Sequence, residues 1–374
     1  MGAGSDGAKS TWFQRFLLPG LAFKAVVIGG GYATGRELAE FFLPSGPLGG
    51  LLGLLLTMVI WSAVCAVAFA FARLVSAYDY RSFFKALLGP FWIAFEITYL
   101  LFLVLILAVV AAAAGEIGRA LFGMPVLAGT LMLVAAIAGI TALGNRGAEN
   151  LFRYASTFIY LVYALFLILA LASFGDRIGP ALASGVPTDG WIIGGTTYAS
   201  YNVVAAVAVL PFLRHLTSRR DALVAGALAG PLAALPAIVF LLCMAAWYPA
   251  IGGETLPSDF MLGEIGQTWL HFAFQLMIFC ALLETGVGIV NAVNERVDEA
   301  LESGFVPALR LALSAALLTG SAFFAARVGL VDLIASGYGA FGYIMLALFV
   351  LPLLVIGTLR LVRDHATATG RNSP

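Results

Sequence analysis

Ten long apolar segments dominate this chain, and each, at roughly 18–30 residues, is long enough to cross a hydrocarbon core of about 30 Å as a helix rising 1.5 Å per residue. They cover residues 17–42, 48–75, 91–114, 126–143, 151–174, 191–213, 222–247, 268–293, 305–326 and 330–359. No ten-residue alternation of the kind a barrel strand needs is present, so the backbone must satisfy its own hydrogen bonds within helices. Prolines fall where helices are expected to begin, at Pro90, Pro125 and Pro307. The composition agrees: 61% of the 374 residues are hydrophobic and 11% charged, against about 25% charged in a soluble domain. Twenty basic and twenty acidic residues cancel, which removes the electrostatic footprint of a nucleic-acid binder. Cys65, Cys243 and Cys280 all lie within apolar stretches and read as small core residues, with no disulfide or metal framework implied.

The basic residues orient the segments. With a cytoplasmic N-terminus, the inner loops and tails hold Lys9, Arg15, Arg73, Arg81, Lys85, Arg214, Arg219, Arg220 and others, whereas the outer loops hold only Arg119, Arg177 and Arg327. The expected protein is an all-α polytopic protein of a bacterial cytoplasmic (inner) membrane with both termini cytoplasmic. Its parts are a tail over 1–16, a first repeat of five helices over 17–174, an extracellular loop over 175–190, a second repeat over 191–359 and a tail over 360–374. The apolar run after the polar first residues is too long for a signal peptide, so the N-terminus is expected to be retained. Residues 294–303 read as a short acidic linker.

Five and five crossings place the two halves in the membrane with opposite orientation, an inverted repeat. The first helix of each half carries an interruption near mid-membrane: Gly29-Gly30-Gly31-Tyr32-Ala33-Thr34-Gly35 in helix 1, and the stretch from Gly194-Gly195 to Ser200-Tyr201-Asn202 in helix 6. Each glycine costs about 1 kcal/mol against alanine in a helix, a cost that a binding site lining would offset. Close packing through small residues such as Gly31 and Gly35 is the competing reading. A dinucleotide fingerprint is rejected, because no strand precedes the glycines. At such breaks, free N–H groups near Tyr32 and Val203 suit a carboxylate, and carbonyls near Val27, Ile28 and Ala199 suit an ammonium or metal cation.

The plan of ten helices, the run GGGYATGRELAEFF and the helix 6 run YASYNVVAAVAVLP resemble the amino acid-polyamine-cation superfamily with the leucine-transporter 5+5 inverted-repeat fold. Within it, they look most like the bacterial YkvI-like membrane proteins. The resemblance covers essentially the whole chain. It implies a central site between helices 1 and 6 with parts of helices 3, 8 and 10, and a coupling cation, or the proton that replaces it, held between helix 8 and the helix 1 break. Where sodium-coupled members carry small hydroxyl residues, this chain has Glu284-Thr285, a departure that favours H+ over Na+.

Lys24, Arg36, Glu37, Glu40, Glu96 and Glu284 all fall within apolar segments, where each costs about 3 kcal/mol if unpaired near the centre. Glu284 is too deep in helix 8 for its side chain to reach either surface. It either carries a proton, binds sodium with Thr285, or forms a structural pair with Lys24 or Arg36. Arg36 and Glu40, four apart, read as a local ion pair or a gate. Glu37 faces a substrate amine or a partner in helix 6 or 10. Lys24 and Glu96 lie near the inner surface as a gate, or in the case of Lys24 as a snorkelling cation. Gly29, Gly30, Gly31, Tyr32, Tyr198, Ser200, Tyr201 and Asn202 are the expected wall of the substrate site, with packing as the alternative for each aromatic ring. The helix 10 stretch Ser336 to Gly342 reads as an outer gate or wall. His215, His271 and His365 share no metal-binding spacing, and no nucleophile-base pair or nucleotide loop is present. The expectation is a secondary active transporter, without cofactor or enzymatic activity, that moves a small zwitterion or amine. The alternative is a membrane-embedded sensor with the same fold.

Overall fold

The computed structural model describes residues 10–142, 145–300 and 307–370, and among them there is no strand. The first apolar segment is divided. A short capped helix α1 (Trp12–Phe16) leads into α2 (Leu18–Val27), the chain opens at Ile28 and Gly29, a single turn α3 (Gly30–Ala33) follows, and Gly35 reverses the backbone before α4 (Arg36–Phe41). The uninterrupted helices come next: α5 (Gly46–Leu74), the short α6 (Tyr80–Leu88), α7 (Trp92–Phe122), α8 (Val126–Ala142) and α9 (Asn145–Leu182).

The second half opens on α10 (Trp191–Asn202) and α11 (Ala205–Val209). It continues with α12 (Arg219–Ala245), α13 (Pro257–Ile265), α14 (Thr268–Ala300) and α15 (Pro307–Val328). The last apolar segment is α16 (Leu330–Asp332), α17 (Gly339–Met345) and α18 (Thr358–Gly370), separated by wide π-helical turns at Leu333–Tyr338, Leu346–Val350 and Leu353–Gly357. Ser218 and Asp221 form a capping box that starts α12, and the Asp79 side chain accepts from the Ser82 backbone N–H to start α6.

One expectation is met in part and another needs correction. Among the described residues, eight helices are long and apolar enough to cross a membrane, accompanied by two shorter apolar helices at Leu18–Val27 and Val126–Thr141. Helix 1 falls short because its break leaves α2 only ten residues, and its outer part joins α5 in one apolar run, Arg36–Leu74. The stretch read as a linker over 294–303 is helical as far as Ala300, with 301–303 outside the described residues.

The broken helices run antiparallel. α2 packs on α11 and α12, while α4 packs on α10. The approach of helix 6 is close: a Cβ at Gly195 would stand 2.5 Å from the Gly53 carbonyl oxygen, and one at Gly194 would strike the Phe41 carbonyl. Thr57 Oγ1 donates to the Gly195 carbonyl at 2.9 Å, and Trp61 Nε1 to that of Ala199 at 3.2 Å. Small residues here let backbones meet, as membrane helices require in the absence of a hydrophobic force between them.

Candidate functional site

The helix 1 break is a true opening of the backbone. Ile28 has φ −81° and ψ 72°, and Gly29 is extended at φ −91° and ψ −177°. Helical bonding resumes when Ala33 donates to the Gly29 carbonyl at 3.2 Å. The helix 6 interruption differs from expectation. Gly194 to Asn202 is continuous helix, its glycines serving close packing, and the irregularity falls at Val203 and Val204. Their dihedrals stay right-handed helical, but bonding tightens, with Ala206 donating to Val203 and Val207 to Val204, both at 2.9 Å. The result is a local tightening of helix 6, without unwinding. Two carbonyls expected to face a cation are already engaged: that of Val27 accepts from Gly29, and that of Ala199 from Val203 and Trp61.

Between the two interruptions lies a cavity of about 460 Å3. Helix 1 contributes Ile28, Gly29 and Glu37 to its wall, and α7 contributes Phe102, Leu103 and Ile106. Tyr201, Asn202, Val204 and Ala205 come from helix 6, Glu284, Thr285 and Gly288 from α14, and Tyr338 from the π-helical turn. Its exposed lining residues, Ala25, Val26, Tyr160 and Ala208, are set around the end where α2 meets α11. The other end is closed. Glu37, only 6% exposed, accepts a 2.7 Å hydrogen bond from the Tyr201 hydroxyl. Tyr338 packs on Tyr201 with ring centroids 4.8 Å apart. Beyond them Arg36, 5% exposed, donates to Glu40 at 2.6 Å and to the carbonyls of Gly252 and Glu254 at 3.1 and 2.9 Å. That binds α4 to the connection between α12 and α14, and the Ser258 N–H adds a bond to the Thr34 carbonyl at 3.0 Å.

The structure therefore brings Gly29, Glu37, Tyr201, Asn202, Glu284 and Thr285 to one cavity, with Thr285 Oγ1 beside Gly29. Gly30 and Gly31 form the single turn above it. Three expected wall residues do not take part. Tyr32 is buried against Tyr163 and Phe240, and Tyr198 is buried among Phe41, Phe42 and Trp61. Ser200 returns its hydroxyl to the Thr196 carbonyl at 2.6 Å. Lys24 places its ammonium 4.7 Å above the Tyr160 ring in a small adjoining hollow, while Glu96 is half-buried on α7, away from the cavity wall. Phe102 and Tyr338 were missed as individual wall residues. Only the helix 10 glycine-serine stretch hinted at Tyr338, and nothing in an apolar helix 3 singles out one phenylalanine.

No family model matches the chain. YkvI, an uncharacterized membrane protein of Bacillus subtilis strain 168, is 24% identical over 341 residues, covering 87% of this chain and 92% of its own. Among solved structures, a Na+-coupled sialic acid symporter in a substrate-bound outward-open state aligns with TM-score 0.60 at 13% identity, over 93% of this chain and 82% of its own. A manganese transporter of Eremococcus coleocola aligns with TM-score 0.55 at 14% identity, over 94% and 81%. The fold is leucine-transporter-like. This is a multi-pass membrane architecture, and the similarity extends to the leucine-transporter-like backbone path without singling out the amino acid-polyamine-cation superfamily.

Proposed function

We propose that the chain is a secondary active transporter of the bacterial cytoplasmic membrane, moving a small amino acid or related zwitterion or amine by alternating access. The observation that carries this reading is the cavity between two antiparallel, interrupted helices, reached from one end and shut at the other by Glu37–Tyr201 and the Arg36 ties. A site open to one side only is what alternation between two states requires. The ten crossings form a 5+5 inverted repeat, 17–174 and 191–359, with cytoplasmic tails and the outer loop 175–190. The conformation is then inward-open. Arg36 and Glu40 gate the outer end, with Lys24 and Glu96 near the inner one. Glu284 and Thr285, beside the helix 1 break, couple transport to H+ in preference to Na+, because a carboxylate on the cavity wall can release its proton as the cavity changes sides.

The test is uptake into proteoliposomes under an imposed pH or sodium gradient, with labelled amino acids and amines. Accumulation against the substrate gradient is expected with the pH gradient. Saturable binding without accumulation under either gradient would instead favour a sensor.

A further inference from the structure

The charge of the cavity is one-sided. Glu37 and Glu284 stand on its wall, and among the described lining residues there is no Lys, Arg or His. Three cations stand outside this wall, each set against other groups: Arg36 on Glu40 and two loop carbonyls, Lys24 on the face of Tyr160 in the adjoining hollow, and Arg296 4.5 Å over the rings of Tyr80 and Tyr99. Even with the Lys24 charge counted against Glu284, the partner the structure gives Glu37 is the neutral Tyr201 hydroxyl. A buried carboxylate so placed favours a cation brought in by the ligand.

Beside Glu37 stands a group of rings. Tyr201 and Tyr338 have centroids 4.8 Å apart, Phe102 and Tyr338 5.8 Å, and Phe102 and Tyr201 6.3 Å, and all three line the cavity. Aromatic faces attract ammonium groups through their quadrupole. A substrate carboxylate, in contrast, meets no basic side chain on this wall. The peptide N–H groups at the start of α3 belong to one four-residue turn, too short to build a substantial helix dipole.

We infer that the cavity selects organic cations, namely amines with an apolar body and no carboxylate, whose ammonium pairs with Glu37 against Phe102, Tyr201 and Tyr338. This rests on the proposed transport site and narrows its substrate class from zwitterions and amines to amines.

The experiment measures binding to the purified full chain by calorimetry, with probes that share one apolar body: phenethylamine with L-phenylalanine and 3-phenylpropionate, and isoamylamine with L-leucine. At least one amine is expected to bind ten or more times tighter than its amino acid, with 3-phenylpropionate not binding by about 1 mM. Glu37→Gln should weaken that amine roughly tenfold or more, Glu37→Asp should restore part of the loss, and Tyr338→Leu should weaken it several-fold. If Glu37→Gln does not fold, the Tyr338→Leu and Phe102→Leu variants decide. The inference is overturned if the amino acids bind as tightly as the amines, if neither amine binds by about 1 mM, if Mn2+ displaces the amine at lower concentration than the amine itself saturates, or if these variants leave amine affinity unchanged. Its failure is separable from that of the transport reading. Amine-selective binding with no gradient-driven accumulation defeats transport and leaves the inference, whereas concentrative uptake of phenylalanine in preference to phenethylamine does the reverse.

Discussion

Glu284 and Arg36 are both ionisable residues in apolar helices, yet their surroundings give them different work. Glu284 faces the cavity beside Thr285 and the helix 1 break, and in the proposed mechanism it exchanges a proton with whichever side the cavity faces. Glu284→Gln removes that exchange but preserves volume and polarity. Uptake driven by a pH gradient should fall at least tenfold, while exchange of internal for external substrate survives; undiminished concentrative uptake by the variant would take Glu284 out of the coupling step. Arg36 instead ties the far end together, and in the proposed mechanism it is the outer gate. Removing it leaves Glu40 and two carbonyls without their donor, and because the Glu40 side chain is 27% exposed the cost stays below the roughly 3 kcal/mol of a fully buried pair. Arg36→Met should therefore shift the population toward opening at that end by up to roughly a hundredfold. Ser258, fully buried under the same closure, reports it. With Cys65, Cys243 and Cys280 replaced, Ser258→Cys should react with a thiol reagent at least tenfold faster in the Arg36→Met background. Residues with charge in an apolar context were legible in the sequence because their cost demands an explanation. The aromatic wall was not, since Phe102 and Tyr338 have the same composition signal as rings that only pack.

At the scale of elements, the glycine run located the helix 1 break without distinguishing which of its glycines the backbone requires. Gly29 is extended, a conformation any residue adopts, and a Cβ there would find Thr285 Oγ1 no closer than 3.8 Å. Gly35 has φ +81°, and a Cβ on it would press on Phe240 and Pro257 at 3.0 Å. Gly29→Ala should thus leave thermal stability nearly unchanged. Gly35→Ala should cost about 1–2 kcal/mol from the left-handed backbone alone, with the contact to Phe240 and Pro257 added. Equal losses in a thermal-unfolding assay on purified protein would refute this assignment. Helix 6 teaches the converse lesson. Its Gly194-Gly195 pair looked like a break and is a packing surface, whereas the real irregularity sits at Val203-Val204, two β-branched residues with no breaker chemistry. The deviation there is a change in hydrogen-bond partner within nearly helical dihedrals, which side-chain identity does not encode. The π-helical turn that brings Tyr338 to the cavity is hidden for the same reason, because its register depends on packing in the folded bundle.

For the whole molecule, the side on which each connection lies is the question that separates ten crossings from eight. Arg15 forms a bidentate pair with Asp221, at 2.8 Å to each carboxylate oxygen, and the Arg219 guanidinium donates to the Leu361 carbonyl at 3.2 Å. The N-terminal helix, the start of α12 and the last helix are thereby gathered at one end, the end with most of the basic residues. At the other, a Cβ on Gly46 would meet Val186 at 2.8 Å, and Arg36 binds the carbonyls of Gly252 and Glu254. The connections near residues 46, 186 and 252 therefore share the opposite end. Residue 46 lies at the end opposite Arg15, so the stretch with α2 to α4 counts as a crossing. Residues 46 and 186 share an end, so an even number of crossings separates them, as α5, α7, α8 and α9 provide. The grouping thus supports counting both short apolar helices. Applied to intact cells carrying single cysteines in a background without native ones, a membrane-impermeant thiol reagent should modify Ser184→Cys and Gly253→Cys. It should leave Thr217→Cys unmodified until the cells are permeabilised. Labelling of Thr217→Cys from outside would invert the molecule, make the cavity outward-open in place of the proposed inward-open state, and remove the positive-inside argument on which the proposed orientation depends.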